Sequence, residues 1–70
     1  GRKIMKEYFY SVGMRDNRTD EKIHLRVWAK DSTEATHKIT NTLFGYKGEY
    51  RWIGTSPIYE NNNLIEREVN

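Results

Sequence analysis

Cysteine is absent from the sequence, which removes disulfides, thiol catalysis and thiolate metal centres together. It also makes a reducing, cytoplasmic setting the default expectation. Histidine occurs only at positions 24 and 37. A zinc site would have to draw three or four ligands from oxygen and nitrogen groups, and nothing stands at ligand spacing. No metal or other cofactor is therefore expected. No apolar run approaches the roughly 18–20 residues that a membrane helix needs, and residues 1–10 lack the apolar block of a secretory leader. There is no Gly-x-Ser-x-Gly elbow, Walker loop or dinucleotide fingerprint, and the one proline is Pro57.

Seventy residues can close one core and make one domain, spanning residues 1–70. They leave no room for a catalytic cleft between lobes. Glu7, Glu34 and Glu49 read as solvated surface acids without the shielded cleft that acid/base catalysis requires. The expectation is a protein that is not an enzyme, with no small-molecule substrate. With 36% hydrophobic and 31% charged residues, five Tyr, two Phe and two Trp, the chain has enough apolar surface to fold. A core of this size stabilises by only about 3–5 kcal/mol, so dimerisation stays open as a further source of stability. Gly1 to Ile4, ahead of Met5, can be a cleavage scar or vector sequence and carry no functional weight.

The net charge is +2, but it is unevenly placed. Residues 1–30 carry eight Lys or Arg against four acids, and residues 31–70 carry four against six, with Glu60, Glu66 and Glu68 in the tail. A surface with one basic face would give that asymmetry, and so would many domains with no charged partner.

In residues 6–15, Tyr8, Tyr10, Val12 and Met14 fall on one side at period two, a strand pattern. The polar cluster Asp16 to Asp20 reads as a turn, and Lys22 to Lys30 alternates again, with Ile23, Leu25, Val27 and Ala29 on one side. A turn centred near Arg18 and Thr19 sets the register. Met14 then faces Ile23, Val12 faces Leu25, Tyr10 faces Val27 and Tyr8 faces Ala29. The other face carries Glu7 across from Lys30, Phe9 from Trp28, Ser11 from Arg26 and Arg15 from Lys22. Slipping this register by one residue would invert both faces.

The period then lengthens to four at Ala35, Ile39 and Leu43, the inner stripe of a helix expected over Ser32 to Phe44. Asp31 with Glu34 three places later has capping-box spacing, and Gly45 stands at the usual left-handed end cap. Residues 49–55 read as a third strand, with Tyr50 and Trp52 on one side and Arg51 and Ile53 on the other. Whether it lies beside the first or the second strand is open. Pro57 argues against a central position in the sheet for the residues after it, and residues 58–65 fit either a last hairpin or a loop with a short fourth strand. The fold class is α+β, β-β-α-β with a fourth short strand allowed, one helix covering one face of a mainly antiparallel sheet. Residues 60–70 fit a flexible tail or that last strand.

The outward hairpin face gathers Phe9 and Trp28 among Arg15, Lys22, His24, Arg26 and Lys30. Aromatics that stack on bases, set among cations that meet phosphates, are what sheet-surface nucleic-acid binders use. The plainer reading is a half-wet face on which Phe9 and Trp28 cover each other. Lys47, Arg51 and Trp52 extend the patch if the third strand joins the sheet with Trp52 outward. Gly45-Tyr46-Lys47-Gly48 has the form of the G-x-x-G loop of KH domains, but a strand comes after it where a helix should, which favours a cap plus a tight turn. Asn17-Arg18-Thr19 is a glycosylation sequon in form alone.

The stretch Val27-Trp28-Ala29-Lys30-Asp31-Ser32-Thr33-Glu34-Ala35 resembles the strand-to-helix junction of short β-β-α-β proteins borne by bacteriophages and other mobile elements, a likeness that extends over about half of the chain. Members of that loose class with known roles commonly bind nucleic acid or a host protein, so the resemblance implies a binding module. The functional expectation is a non-catalytic module using Phe9, Arg15, Lys22, Arg26, Trp28, Lys30, Lys47, Arg51 and Trp52, with nucleic acid as partner. The alternative is a protein-interaction or homodimerising domain that buries Phe9, Trp28 and Trp52 against its partner.

Overall fold

The computed structural model describes residues 4–42 and 46–69, without the side chains of Tyr46 and Lys47. Its elements run β1 (Met5–Asp16), β2 (Lys22–Ala29), α1 (Ser32–Thr42), a single helical turn α2 (Tyr46–Glu49), β3 (Tyr50–Pro57), β4 (Tyr59–Glu60), β5 (Asn63–Leu64) and β6 (Glu66–Val69). The α+β class expected from periodicity is the class observed, with one main helix packed on an antiparallel sheet.

β1 is the spine. On one side it pairs with β2 in the anticipated register, Met14 with Ile23, Val12 with Leu25, Tyr10 with Val27 and Tyr8 with Ala29. The connecting turn is tied by Asp16, whose Oδ1 accepts the amides of Arg18 (2.7 Å) and Thr19 (3.3 Å), the local bonding that makes Asp a turn former. On its other side β1 pairs with two strands end to end, β3 from Tyr10 to Asp16 and β6 from Met5 to Tyr8. Between them, Phe9 donates its amide to the Ile65 carbonyl (3.1 Å) and accepts from the Ile58 amide (2.8 Å). The third strand therefore lies beside the first. It starts at Tyr50 and reaches Pro57, which sits at its end on an outer strand where a missing N–H costs no ladder bond.

Residues 58–65 prove to be a hairpin, and a fourth sheet strand comes after it. Tyr59 pairs with Leu64 and Glu60 with Asn63, around Asn61 (φ 51°) and Asn62 (φ 65°). Two successive left-handed residues are the signature of a type I′ turn, and asparagine tolerates that conformation better than most residues.

α1 begins as its caps dictate. Asp31 Oδ1 accepts the Glu34 amide (2.8 Å), and Glu34 Oε1 reaches back to the Lys30 amide (3.2 Å). Ala35 is fully buried and Ile39 packs against the core, as the four-residue period requires. Leu43, Phe44 and the Gly45 cap lie outside the described residues. Tyr10, Val12, Met14, Ala29 and Ala35 form the buried core among the described residues. Tyr8, Ile23, Val27, Ile39 and Tyr50 pack around them. The molecule measures 49 × 27 × 12 Å, thin because the helix covers one sheet face and leaves the other bare. No helix among the described residues is long and apolar enough to cross a membrane.

Candidate binding face of the sheet

The bare face is built by the residues of β1 that alternate with the core, Glu7, Phe9, Ser11, Gly13 and Arg15, and by their partners on either side. Register places Arg15 between Lys22 and Arg51, Gly13 between His24 and Gly54, Ser11 between Arg26 and Ser56, and Phe9 beside Trp28. Lys22, Arg26, Arg15 and Arg51 are thus brought onto one face, in keeping with the charge pattern.

These cations are in different states. Arg51 donates to Asn17 Oδ1 (2.7 Å) and Asp20 Oδ1 (2.9 Å), and Arg15 donates to the Asp20 carbonyl (2.7 Å). Both arginines brace the turn. Lys22 and Arg26 are exposed, and neither forms an ion pair with another described residue. Between them His24, also exposed, stands 3.5 Å from the Ser11 hydroxyl. Lys30 is exposed just beyond the end of β2, and the side chain of Lys47 lies outside the described residues.

At the centre, Gly13 and Gly54 face each other and floor an open depression of about 320 Å³, rimmed by Ser11, Lys22, His24, Ile53 and Ser56. The β1–β3 register shifts by one residue here, which makes Ile53 a bulge. A Cβ on Gly13 would stand 3.1 Å from Ile53 Cγ1, so glycine keeps this floor low.

Phe9 and Trp28 cover each other, ring centroids 4.8 Å apart and tilted by 39°. Arg67 lies 4.7 Å over the Trp28 ring, a cation–π contact, held there by two bonds to Glu7 Oε1 at 2.7 and 3.0 Å. The aromatic pair is a closed wall of the face, and one ring surface of Trp28 is taken. The ladder to β2 stops at Tyr8 and Ala29, so Glu7 is not paired with Lys30; on the other flank of β1, β6 sets Arg67 opposite Glu7. Nor is Glu7 a solvated acid, with a side chain only 16% exposed. The Arg67 hydrogen bond holds its carboxyl below the usual glutamate range, with desolvation opposing and Lys38 reinforcing. Nothing in the local pattern of residues 6–30 announces Arg67, whose partner stands sixty residues earlier in the chain.

Trp52 is the correction to the expected patch. Its backbone partner is Met14, a core-facing residue, so Trp52 points to the helix side. There its Nε1 donates to Thr55 Oγ1 (2.9 Å), and it lines a second open cleft of about 350 Å³ with Ser32, Thr33, Thr36 and His37. Ordinary strand alternation sets Trp52, opposite Met14, on the side away from Arg51, which lies opposite Arg15.

No protein-family model, curated protein or solved structure matches this chain. Among the described residues no cluster of three His, Asp or Glu side chains is placed to hold a metal ion.

Proposed function

We propose that the protein is a non-catalytic, cytoplasmic binding module whose bare sheet face takes the sugar-phosphate backbone of single-stranded nucleic acid. The observation that carries this reading is the pair of uncommitted cations, Lys22 and Arg26, on β2 beside a low Gly13–Gly54 floor that carries the Ser11 and Ser56 hydroxyls at one end. Hydroxyls and long cations are the side chains that meet phosphate oxygens, and a floor without side chains lets a backbone approach closely. Because Phe9 and Trp28 stack on each other under Arg67, they fix the end of the groove and leave little ring surface for bases. Weak sequence preference is the consequence.

The test is anisotropy of labelled single- and double-stranded oligonucleotides at two salt concentrations. Two phosphate contacts, by Lys22 and Arg26, predict a roughly sevenfold loss of single-strand affinity between 50 and 200 mM salt. Lys22→Glu with Arg26→Glu should abolish binding while leaving the circular dichroism spectrum intact. A stable dimer by light scattering with no oligonucleotide binding would replace this reading by self-association.

A further inference from the structure

We infer that the outer edge of β2 is a docking edge for an extended acidic strand of a protein partner, which adds to the sheet beside Lys22, His24 and Arg26. The inference rests on the backbone of β2 and stands apart from any binding of nucleic acid by the face.

In an antiparallel sheet each residue turns its N–H and C=O to one side only. Asp16 donates to the Glu21 carbonyl, across the β1–β2 turn, whereas Phe9 gives both of its backbone groups to the opposite side of β1. Even-numbered residues of β1 therefore bond to β2, and their partners on β2 are odd-numbered. Lys22, His24, Arg26 and Trp28 must then aim their backbone groups outward, away from the sheet.

The far end of this row is closed by α1. Lys38 Nζ donates to the Trp28 carbonyl (2.8 Å), and Glu34 Oε1 accepts the Lys30 amide (3.2 Å). No other described backbone group bonds to the outward groups of Lys22, His24 and Arg26. The opposite edge of the sheet is blunted differently, by the bulge at Ile53 and by Pro57 on β3, devices that discourage strand addition. β2 carries neither; its residues read Lys-Ile-His-Leu-Arg-Val-Trp-Ala.

Charge selects the occupant. Side chains directly opposite across a strand pair share a face, so an added strand sets its alternate residues against Lys22, His24 and Arg26. No acid lies on β2. A second copy pairing antiparallel about His24 would set Lys22 against Arg26 of the other copy at both ends, and like charges so placed destabilise. A strand with acids at alternate positions and β-branched residues between satisfies both the backbone and the charge.

The probe is an acetylated, fluorescein-labelled peptide, Thr-Glu-Val-Glu-Val-Glu-Thr, titrated with the full chain. Its Glu residues stand opposite the cations, so their amides point at β2 and the Val amides point to solvent. N-methylation of the Glu amides should weaken binding by at least about tenfold, the loss of two or three ladder hydrogen bonds, while N-methylation of the Val amides should change it by less than about threefold. His24→Pro removes one outward N–H without touching the β1 ladder and should weaken the parent peptide likewise. Equal binding of the two methylated peptides, which carry the same charge, would reduce the contact to bulk electrostatics and overturn the inference. So would absence of binding by the parent peptide at millimolar concentration. A nucleic-acid result of either sign leaves this comparison between peptides unaffected.

Discussion

Met14 and Val12 are the largest side chains wholly withdrawn from water among the described residues, and the two-residue period of β1 marks each of them. Met14→Ala should cost about 2–5 kcal/mol, which rivals the whole stability expected of a core this small. Its urea transition should shift to near-zero denaturant, read by far-ultraviolet circular dichroism. Glu7 behaves in the opposite way, since no local pattern singles it out. Its carboxyl is held below the ordinary value of 4.5 chiefly by the hydrogen bond from Arg67, and that of Asp16 is lowered chiefly by the Arg18 amide. In both cases the unfolded chain binds a proton more readily than the folded one. The stabilisation is thus fully present above the unfolded carboxylate range and is lost as pH falls through the lower folded values. The urea midpoint should begin to drop near pH 4.5 and continue downward. Glu7→Gln should flatten that dependence, and an unchanged slope would mean the Arg67 contact contributes nothing in solution.

Among the elements, α1 is legible in the sequence because its cap rests on bonds between close neighbours, whereas residues 58–65 read equally as a hairpin or as a loop with a short strand until the pairing of Tyr59 with Leu64 decides. Asp31→Ala removes the acceptor for the Glu34 amide and should cost about 1 kcal/mol, measured as a fall in the thermal midpoint. Asn62→Gly places glycine where φ is 65°, a conformation it adopts without steric cost. A gain of some tenths of a kcal/mol is expected, and a loss would show that the Asn62 side chain has a role of its own. β6 is harder to read, because Glu-Arg-Glu-Val alternates charge with little apolar signal. What makes it a strand is the vacant side of β1 between Met5 and Tyr8, a property of the partner that the segment itself does not announce. The side of Trp52 is equally illegible. The alternation of Tyr50 and Trp52 against Arg51 can be read along the segment, but which sheet face Trp52 takes is set by its pairing with Met14, which no local pattern announces.

Over the whole molecule, the hairpin register alone brings Lys22, Arg26, Phe9 and Trp28 together, whereas Arg67 and the Gly13–Gly54 floor depend on strands distant in sequence. The bare face is therefore a tertiary product. Deleting residues 66–70 should remove the cover from Trp28, giving a red-shifted emission and a lower thermal midpoint. Retention of the parent emission would show that Phe9 alone shields the indole.

The spine strand is also made first and completed last. β1 receives β2 after a five-residue turn, but its first residues wait for β6, sixty residues downstream as counted from Lys6 to Glu66. At about 5–20 residues per second of synthesis, that interval lasts about 3–12 s, against microseconds for a hairpin to close. During those seconds the N-terminal half of β1 stands with one flank unpaired, and the sheet stays incomplete until β6 arrives.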